Sequence, residues 1–351
     1  MRLFFVLVFL PILFAVGPNK IVEERLRQLG YVSGSELPTS TEGVVVHKDG
    51  TYPGVNLVIS PPGQHAYLMD MQGQILHEWY GLRTKGWWRR AILHPNGDLV
   101  VICDHHKGIV KVDRHSEVIW SRTGQIHHHI LPGADGGLVA LMVEDKAKDE
   151  NDFIVTYDAL GQITSRVSLK QAVTKALGTE KRDELLDGSD EYFHTNSIQP
   201  LDGKCGFPVG HFLISMRSIS LIAVVDPEIP TLTHWWDLGT RQHDAQLLPS
   251  CEVLFFDNDW KPGKHSRLVR FDSRTGEVQY EVSVPYTHGG GNVQMLPNGN
   301  LVTAITSKGI ALELNPDGEV LWEWHSPWRA GDNVANLWHV ERVPRPEWLK
   351  D

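Results

Sequence analysis

The chain consists of short runs of alternating apolar and polar positions, separated by turns rich in Gly, Pro, Asn and Asp. One unit recurs. It begins with a polar residue or a histidine, runs through an apolar stretch to Leu-Pro-Asn-Gly or a related turn, and ends in two or three further short strands. Alternation with a period of two predicts half-buried β-strands, and such turns predict hairpins between them. The turns lie at Pro95, Ala134, Pro200, Pro249, Pro297 and Pro344.

Repeated four-stranded units of this length are typical of a β-propeller. The first part of the repeat region supplies three strands of a blade, and residues 337–344 read as the missing strand. Closure of this kind gives six blades and removes exposed sheet edges. We therefore expect an all-β fold, a six-bladed β-propeller of four-stranded antiparallel blades over residues 43–351. A charged, helix-favouring segment predicts a helical insertion near 169–192.

The amino-terminal segment has a different pattern. Residues 1–17 combine a short positive start with an apolar run that is short for a membrane span, which predicts a signal peptide or an N-terminal membrane anchor. Residues 18–42 read as an amphipathic helix and linker. We expect an exported protein, periplasmic or extracytoplasmic, either soluble or attached to a membrane through its N-terminus. The oligomeric state is left open.

Composition narrows the function. The formal net charge of −10 argues against non-specific binding of nucleic acid. The three cysteines are too far apart for a CxxC metal or redox module. Cys205 and Cys251 lie near the first turns of successive blades and could form a disulfide, with Cys103 free; the residues alone leave this open. The unusual counts are 18 His and 12 Trp, which the function has to explain.

The repeat register places several of these residues together. Counting back six positions from each turn reaches the start of each innermost strand, and this level holds three histidines and one arginine. The six positions are Arg89, His128, His194, His243, Gly291 and Trp338. Because innermost strands surround the propeller axis, we expect one histidine-rich cavity there.

The second strand of each blade is antiparallel to the first, so its end lies beside the start of the first. This geometry predicts that Arg217 lies next to His194, and Asp257 and Asn258 next to His243. The loops at this mouth also hold many aromatic residues, and aromatic walls around a basic cavity suit a flat aromatic ligand bearing an anion. Packing between blades is the competing explanation. The residues concerned are Trp87, Trp88, Tyr192, Phe193, Trp235, Trp236, Trp260, Tyr286 and Trp328.

Several ordered motifs resemble the bacterial arylsulfate sulfotransferases. They are His-His-His-Ile at 127–130, His-Thr-Asn-Ser-Ile at 194–198, Ser-Met-Arg-Ser at 215–218, Gln-His-Asp at 242–244 and Phe-Phe-Asp-Asn at 255–258. The resemblance covers roughly residues 43–344. It implies a six-bladed propeller that transfers a sulfuryl group from an aryl sulfate donor to a phenolic acceptor, without an adenylyl-sulfate donor or other cofactor. By motif position, the transiently sulfurylated histidine is His243, and His128, His194 and Arg217 complete the catalytic set.

The expected mechanism is a ping-pong reaction through a sulfohistidine. Arg217 clamps the sulfate oxygens, either His194 or His128 exchanges a proton with the phenol oxygen, and either Asp244 or Asp257 orients the His243 ring. We assign substrate binding to Arg89, Asn196, Asp257, Asn258, Trp88 and Trp338, and predict no metal or nucleic acid. The alternatives are a metal-dependent enzyme with a histidine-ringed site and a non-catalytic ligand-binding propeller.

Overall fold

The pattern of buried positions explains the architecture of the chain. In a computed structural model, the described residues are 32–33, 41–60, 64–81, 87–103, 108–144, 151–187, 193–258, 265–330 and 333–349. The second strands of the units are buried along nearly their whole length, whereas the fourth strands are largely exposed at alternating positions. Such an order is expected when the early strands lie inside and the fourth strand forms the outer edge.

The strands of the first half of the chain comprise two separate leading strands, three strands of one blade and two complete four-stranded blades. Their bounds are β1 Val32–Ser33, β2 Gly43–His47, β3 Val55–Ile59, β4 His65–Met69, β5 Ile75–Tyr80, β6 Trp88–Leu93, β7 Leu99–Cys103, β8 Gly108–Val112, β9 Val118–Thr123, β10 Ile126–Pro132, β11 Leu138–Glu144, β12 Asn151–Tyr157 and β13 Ile163–Ser168. Two helices follow, α1 Leu169–Leu177 and α2 Thr179–Leu186.

The second half continues the same repeat. Its strands are β14 Thr195–Pro200, β15 Phe212–Met216, β16 Leu221–Asp226, β17 Thr231–Trp236, β18 His243–Leu247, β19 Glu252–Asp257, β20 Ser266–Asp272, β21 Val278–Val284, β22 Asn292–Met295, β23 Leu301–Ile305, β24 Ile310–Leu314, β25 Val320–His325, β26 Arg329–Ala330, β27 Asn333–Ala335 and β28 His339–Val343. Short 3-10 turns lie at Ala134–Gly136, Lys204–Gly206, Thr306–Lys308 and Glu347–Leu349.

Hydrogen bonding groups these strands into a six-bladed β-propeller, as the sequence predicted. Blade 1 is β28-β3-β4-β5, and blades 2 to 5 are β6–β9, β10–β13, β14–β17 and β18–β21. Blade 6 is β22–β25, and β2 adds a fifth strand at its outer edge that the sequence did not predict. A small separate sheet joins β1 to β27 and β26.

The two ends of the repeat region close the ring. Strand β28 pairs antiparallel with β3, from His339 opposite Ile59 to Val343 opposite Val55. This confirms the prediction that the C-terminal strand completes the first blade. Each of the six apolar clusters takes its residues mainly from two adjacent blades, so the core lies between blades rather than within one sheet.

Side-chain amides also join the innermost strands of neighbouring blades. Gln199 of blade 4 donates through Nε2 to the carbonyl of Leu247 in blade 5, and its Oε1 accepts from the Leu247 N–H, at 3.2 and 2.6 Å. Gln294 of blade 6 exchanges the same two bonds with Arg342 of blade 1, at 3.0 and 2.8 Å. Asn292 repeats this with the blade 1 strand. The inner strands of neighbouring blades belong to separate sheets, and these side-chain bonds hold them in register.

The helical insertion lies where it was predicted. The Ser168 side chain accepts a hydrogen bond from the Gln171 N–H and caps α1. The apolar face of α1 packs on the cluster between blades 3 and 4. Residues 188–192 of the predicted segment lie outside the described part of the chain, as do the predicted signal or anchor segment and most of the linker.

One disulfide links two blades. Cys205, in the 3-10 turn after β14, is bonded to Cys251, in the turn after β18. Cys103 is buried and is not part of a disulfide. Among the described residues, no helix has the length and apolar character needed to cross a membrane.

Candidate active site

Irregularities in four innermost strands determine which side chains face the propeller axis. In blades 2 to 5, the first strand loses its regular register with the second near the same level, and each irregularity leaves one or two residues without a strand partner. Such bulges re-aim side chains and often lie beside active sites. The shifts fall between Trp88 and Ala91, His127 and Ile130, Thr195 and Ser197, and His243 and Gln246.

Backbone strain accompanies these bulges. His128, His194 and Asp244 have φ values of 56°, 48° and 53°, in the left-handed region that non-glycine residues rarely occupy. Each such residue costs roughly 1 to 3 kcal/mol and is retained where surrounding structure requires it, most often at functional sites. Of the nine described non-glycine residues with positive φ, His128, His194 and Asp244 thus lie at the level of the propeller that the repeat register selected.

These side chains converge on one cavity of about 340 Å³. All six residues of the register count line it, together with Asn196 and Arg217. The lining residues are Arg89, Arg90, His128, His194, Asn196, Arg217, His243, Asp244, His288, Gly289, Gly290, Gly291, Asn292, Thr306, Ser307, Asn336 and Trp338. Of the catalytic residues assigned from sequence, all four thus face the same space.

His243 is held in one tautomer. Its Nδ1 lies 2.6 Å from Asn258 Oδ1 and 3.0 Å from the carbonyl oxygen of Arg241. The Asn258 amide nitrogen lies 3.0 Å from the carbonyls of Thr287 and Gly290, which fixes its oxygen towards the imidazole. Both partners of Nδ1 are acceptors, so Nδ1 carries the proton and Nε2 keeps its lone pair.

The same environment keeps this imidazole neutral. Burial lowers the pKa of His243 to about 3, and the positive charges of His194 and Arg217 act in the same direction, while the hydrogen bond that Nδ1–H donates to Asn258 opposes them. A neutral imidazole with a bare Nε2 is a nucleophile at any ordinary pH. The ring needs no general base to become reactive.

His128 and His194 form a contiguous pair. Their Nε2 atoms are 3.1 Å apart, and the rings approach edge to face. Burial, followed by the charges of His194, His127 and Arg89, lowers the pKa of His128 well below its ordinary value. Arg217 adjoins this pair, because its backbone N–H donates to the His194 carbonyl at 3.2 Å. The predicted neighbourhood of Arg217 and His194 is therefore present.

Two further arginines come from the first bulge. The Arg89 guanidinium lies over the Trp338 indole, 4.6 Å from the ring centroid, an arrangement that favours a cation. Arg90 pairs with Asp244, with Nη1 3.0 Å from Oδ1. Among the described lining residues, three guanidinium groups face a single carboxylate, so the cavity favours an anion.

Some residues assigned to substrate binding lie elsewhere. Trp88 is buried in the cluster between blades 1 and 2, because the bulge that follows it turns Arg89 and Arg90 to the cavity instead. Asp257 is fully buried, accepts the Thr240 N–H at 2.8 Å and pairs with Arg267. Neither residue lines the cavity.

The expectation for the partner of His243 was also wrong. Asn258 makes the bond that we had assigned to Asp244 or Asp257. Asp244 is turned away by its left-handed backbone towards Arg90 and the Val293 N–H. Asn258 thus holds the His243 ring in position. Asn196 lines the cavity, and its amide donates to the Gln242 carbonyl at 2.6 Å, which anchors the residue before His243.

The aromatic walls are mostly packing. Phe193 lies in the cluster between blades 3 and 4, Trp236 packs on Phe271, and Trp328 stacks on Tyr67. Trp235 is exposed on an outer strand. Trp338 is an aromatic residue that does line the cavity. Tyr192 and Trp260 lie outside the described residues.

Sequence reasoning missed Arg90, the loop residues 288–290 before Gly291, and Asn336. Arg90 follows Arg89 directly, but regular alternation would have placed it on the opposite face, and the bulge has no clear sequence signal. Gly291 is required by geometry: its φ is +100° and an added Cβ would lie 2.7 Å from the Phe256 ring. Within the described residues, no group of three or more His, Cys, Asp or Glu side chains is arranged to hold a metal ion.

Fold and site together define a six-bladed β-propeller with a cationic, histidine-rich cavity on its axis. A family model described as Arylsulfotransferase (ASST) matches residues 92–327, about two thirds of the chain. The chain belongs to this family. A search of curated proteins found no match.

Solved structures share the fold. A protein of unknown function from Bacteroides caccae superposes with a TM-score of 0.58 at 14% identity, covering 81% of this chain and 99% of its own. The β-propeller domain of Cps50 (Swd1) from Myceliophteria thermophila has a TM-score of 0.51 at 10% identity, covering 82% of this chain and 90% of its own. At such low identity these similarities concern the architecture alone.

Proposed function

We propose that this arylsulfotransferase moves a sulfuryl group from an aryl sulfate to a phenol through a sulfohistidine formed on His243. One observation carries the proposal: both acceptors of His243 hold Nδ1, and the unprotonated Nε2 remains for the cavity that Arg217 also lines. Family membership supports the class of reaction and of substrates.

In the first half-reaction, the lone pair on His243 Nε2 attacks sulfur. The N–S bond forms, the S–O bond to the aryl group breaks, and the electron pair of that bond leaves on the phenol oxygen. A transition state of this kind is loose and carries charge on its peripheral oxygens, by analogy with phosphoryl transfer. Arg217 neutralises this charge, since its planar fork can bind two oxygens at once.

Proton transfer completes the step. The protonated His128–His194 pair gives one proton to the departing oxygen, so that neutral phenol leaves. In the second half-reaction an acceptor phenol returns a proton to the same pair while its oxygen attacks sulfur and His243 leaves. Proton count and charge therefore return to their starting values after each turnover.

The test is intact-mass analysis after brief mixing with 4-nitrophenyl sulfate. We expect a mass increase of one sulfuryl group that is discharged by added phenol. The variant His243→Asn should form no adduct, because its amide can replace the Nδ1–H but offers no nucleophile. His115→Asn, at an exposed histidine, is the matched control and should behave like the wild type. Phenol release without an adduct at any time would instead favour direct transfer. If neither phenol release nor an adduct is observed, the result favours a ligand-binding propeller.

We further propose that the protein is exported. The apolar run in residues 1–17 and the Cys205–Cys251 disulfide support this, because disulfides persist in oxidising compartments. Cell fractionation, with mass analysis of the amino terminus, tests the proposal. Recovery of the full-length chain in the cytosol with reduced cysteines would contradict it.

A further inference from the structure

A row of three imidazoles leads away from the cavity. His194 Nε2 lies 3.1 Å from His128 Nε2, and His128 Nδ1 lies 2.7 Å from His127 Nδ1. His127 is mostly buried and stands between His128 and Asp152, a buried carboxylate of strand β12. The row thus connects the two candidate acid–base histidines to a charged group outside the cavity.

Asp152 is fixed in place by the next blade. One of its oxygens, Oδ2, accepts from the Thr195 N–H at 2.7 Å and from the Thr195 hydroxyl at 2.6 Å. The other, Oδ1, lies 3.7 Å from His127 Nε2, too far for a hydrogen bond. At this separation and burial, an N–H directed at the carboxylate is attracted, whereas a lone pair directed at it is repelled. Nε2 is therefore the nitrogen of His127 that carries a proton.

The proton on His127 Nε2 determines which nitrogens of His128 and His194 carry protons. A neutral His127 with its proton on Nε2 presents a lone pair at Nδ1, so the 2.7 Å contact requires His128 to donate from its own Nδ1. His128 is neutral, since burial and its charged neighbours lower its pKa, and its Nε2 is consequently a bare acceptor. The proton in the 3.1 Å contact between the Nε2 atoms then belongs to His194.

We propose that His127 and Asp152 are positioning residues that fix the tautomer of His128, and thereby make His194 the proton donor of the reaction. The inference rests on the proposed function for its catalytic meaning, and it chooses between the two histidines that the sequence left open. The charged or titratable groups facing His128 are His127, His194, His243 and Arg89. With Arg89 and a protonated His194 on its cavity side, a second proton on His128 is disfavoured.

In the reaction, protonated His194 releases the Nε2 proton to the phenol oxygen as the S–O bond breaks. The ring is left neutral with its remaining proton on Nδ1, and the incoming phenol returns a proton to Nε2. No oxidant or further co-reactant enters. His127 and His128 keep their protons and Asp152 remains a carboxylate throughout, and their part is to present a lone pair, rather than a competing N–H, beside the donor.

The direct test is nitrogen NMR of histidine-labelled protein, since protonated and bare ring nitrogens have well-separated shifts. His128, identified by the signals lost in His128→Gln, should carry its proton on Nδ1 in the wild type. In the variant Asp152→Asn, His128 should instead carry its proton on Nε2. The amide oxygen of the variant keeps the two Thr195 bonds, its NH2 group faces His127 Nε2, and each proton in the row moves to the opposite nitrogen. His128 found with its proton on Nε2 in the wild type overturns the proposal.

Kinetic measurements test whether His127, acting through His128, affects proton donation to the departing phenol. His127→Phe keeps a ring but offers no lone pair to His128, and should slow transfer from phenyl sulfate on the order of 100-fold, the low end of what general acid catalysis contributes. Transfer from 4-nitrophenyl sulfate should change little, because that leaving group needs less proton assistance. His127→Asn restores an acceptor at the position of Nδ1 and should recover part of the loss.

The outcomes separate the two proposals. An equal loss with both donors makes His127 a structural residue and contradicts the positioning role. The NMR measurement needs no turnover, so the tautomer of His128 is decided even if the chain forms no sulfohistidine. Absence of transfer in the wild type with the expected tautomer refutes the proposed function and leaves the proton row intact.

Discussion

Acid should destabilise this protein through His243. The pKa of this imidazole is about 3 in the folded chain, against an ordinary value of 6.5 that applies when the chain is unfolded. Between these two values the unfolded chain binds a proton that the folded chain does not. The contribution to the free energy of unfolding is therefore fully present above pH 6.5 and is lost as the pH falls towards 3.

The magnitude follows from the difference between the two pKa values. About 3.5 pH units correspond to about 5 kcal/mol, with a slope of about 1.4 kcal/mol for each pH unit. We regard this as an upper bound, because His243 lines a cavity that water can enter. Burial also lowers the pKa values of His128, His129 and His339, so the slope of the whole protein should be steeper than that of His243 alone.

The assay is urea unfolding at a series of pH values, comparing the wild type with His243→Asn. The variant loses one titrating group, so its stability should fall less steeply, and the gap between the two curves should change by up to about 3 kcal/mol between about pH 6.5 and about pH 4. His115→Asn, at an exposed site, should follow the wild type. Parallel curves for the wild type and His243→Asn would refute the reasoning, whatever their constant offset.

Three further predictions concern the site and the fold. Asn258→Leu removes an acceptor of the His243 N–H and two bonds to carbonyls, and should lower the rate of adduct formation by about 10- to 100-fold, as judged by rapid-quench mass analysis. Arg217→Lys keeps the charge but loses the fork, and should lower kcat/KM for aryl sulfates by about 10- to 150-fold, equivalent to about 1.5 to 3 kcal/mol, with Arg217→Ala lower still; equal values for Lys and Arg would contradict a two-oxygen clamp. Cys205→Ser opens a loop closed over a separation of 46 residues and should lower the free energy of unfolding by about 2 to 4 kcal/mol. Cys251→Ser should have the same effect. In reductant, which opens the disulfide of the wild type, the difference between wild type and variant should disappear.

The fold could be predicted from sequence because its signals are local. Each blade repeats the alternation of apolar residues and has Pro-Asn-Gly or a related turn, and the closing strand was recognisable because residues 337–344 repeat the pattern of a first strand. Strand β2 was missed, since Gly43–His47 looks the same whether it starts a blade or extends one. Only its pairing with β25 decides between the two.

The sequence predicted where along the propeller axis the site lies, but not which side chains bond to one another there. The register count reached Arg89, His128, His194 and His243 because the turns fix the start of each inner strand. The register count does not predict the bulges, because they depend on the backbone of two paired strands. The bulges bring Arg90 and Asp244 to the cavity. They also leave Asn258, rather than a carboxylate, behind His243.

The pairing of β28 with β3 has a consequence for how the chain folds. His339 and Ile59 become neighbours although almost the entire chain lies between them, and bringing together such distant segments is entropically slow. Five blades can form from contiguous sequence as the chain emerges, but blade 1 waits for the last residues. The cavity, which includes Trp338 just before that strand, is therefore incomplete until the ring has closed. A chain whose ring has not closed contains His128, His194 and His243 but lacks the part of the cavity lining that Trp338 supplies.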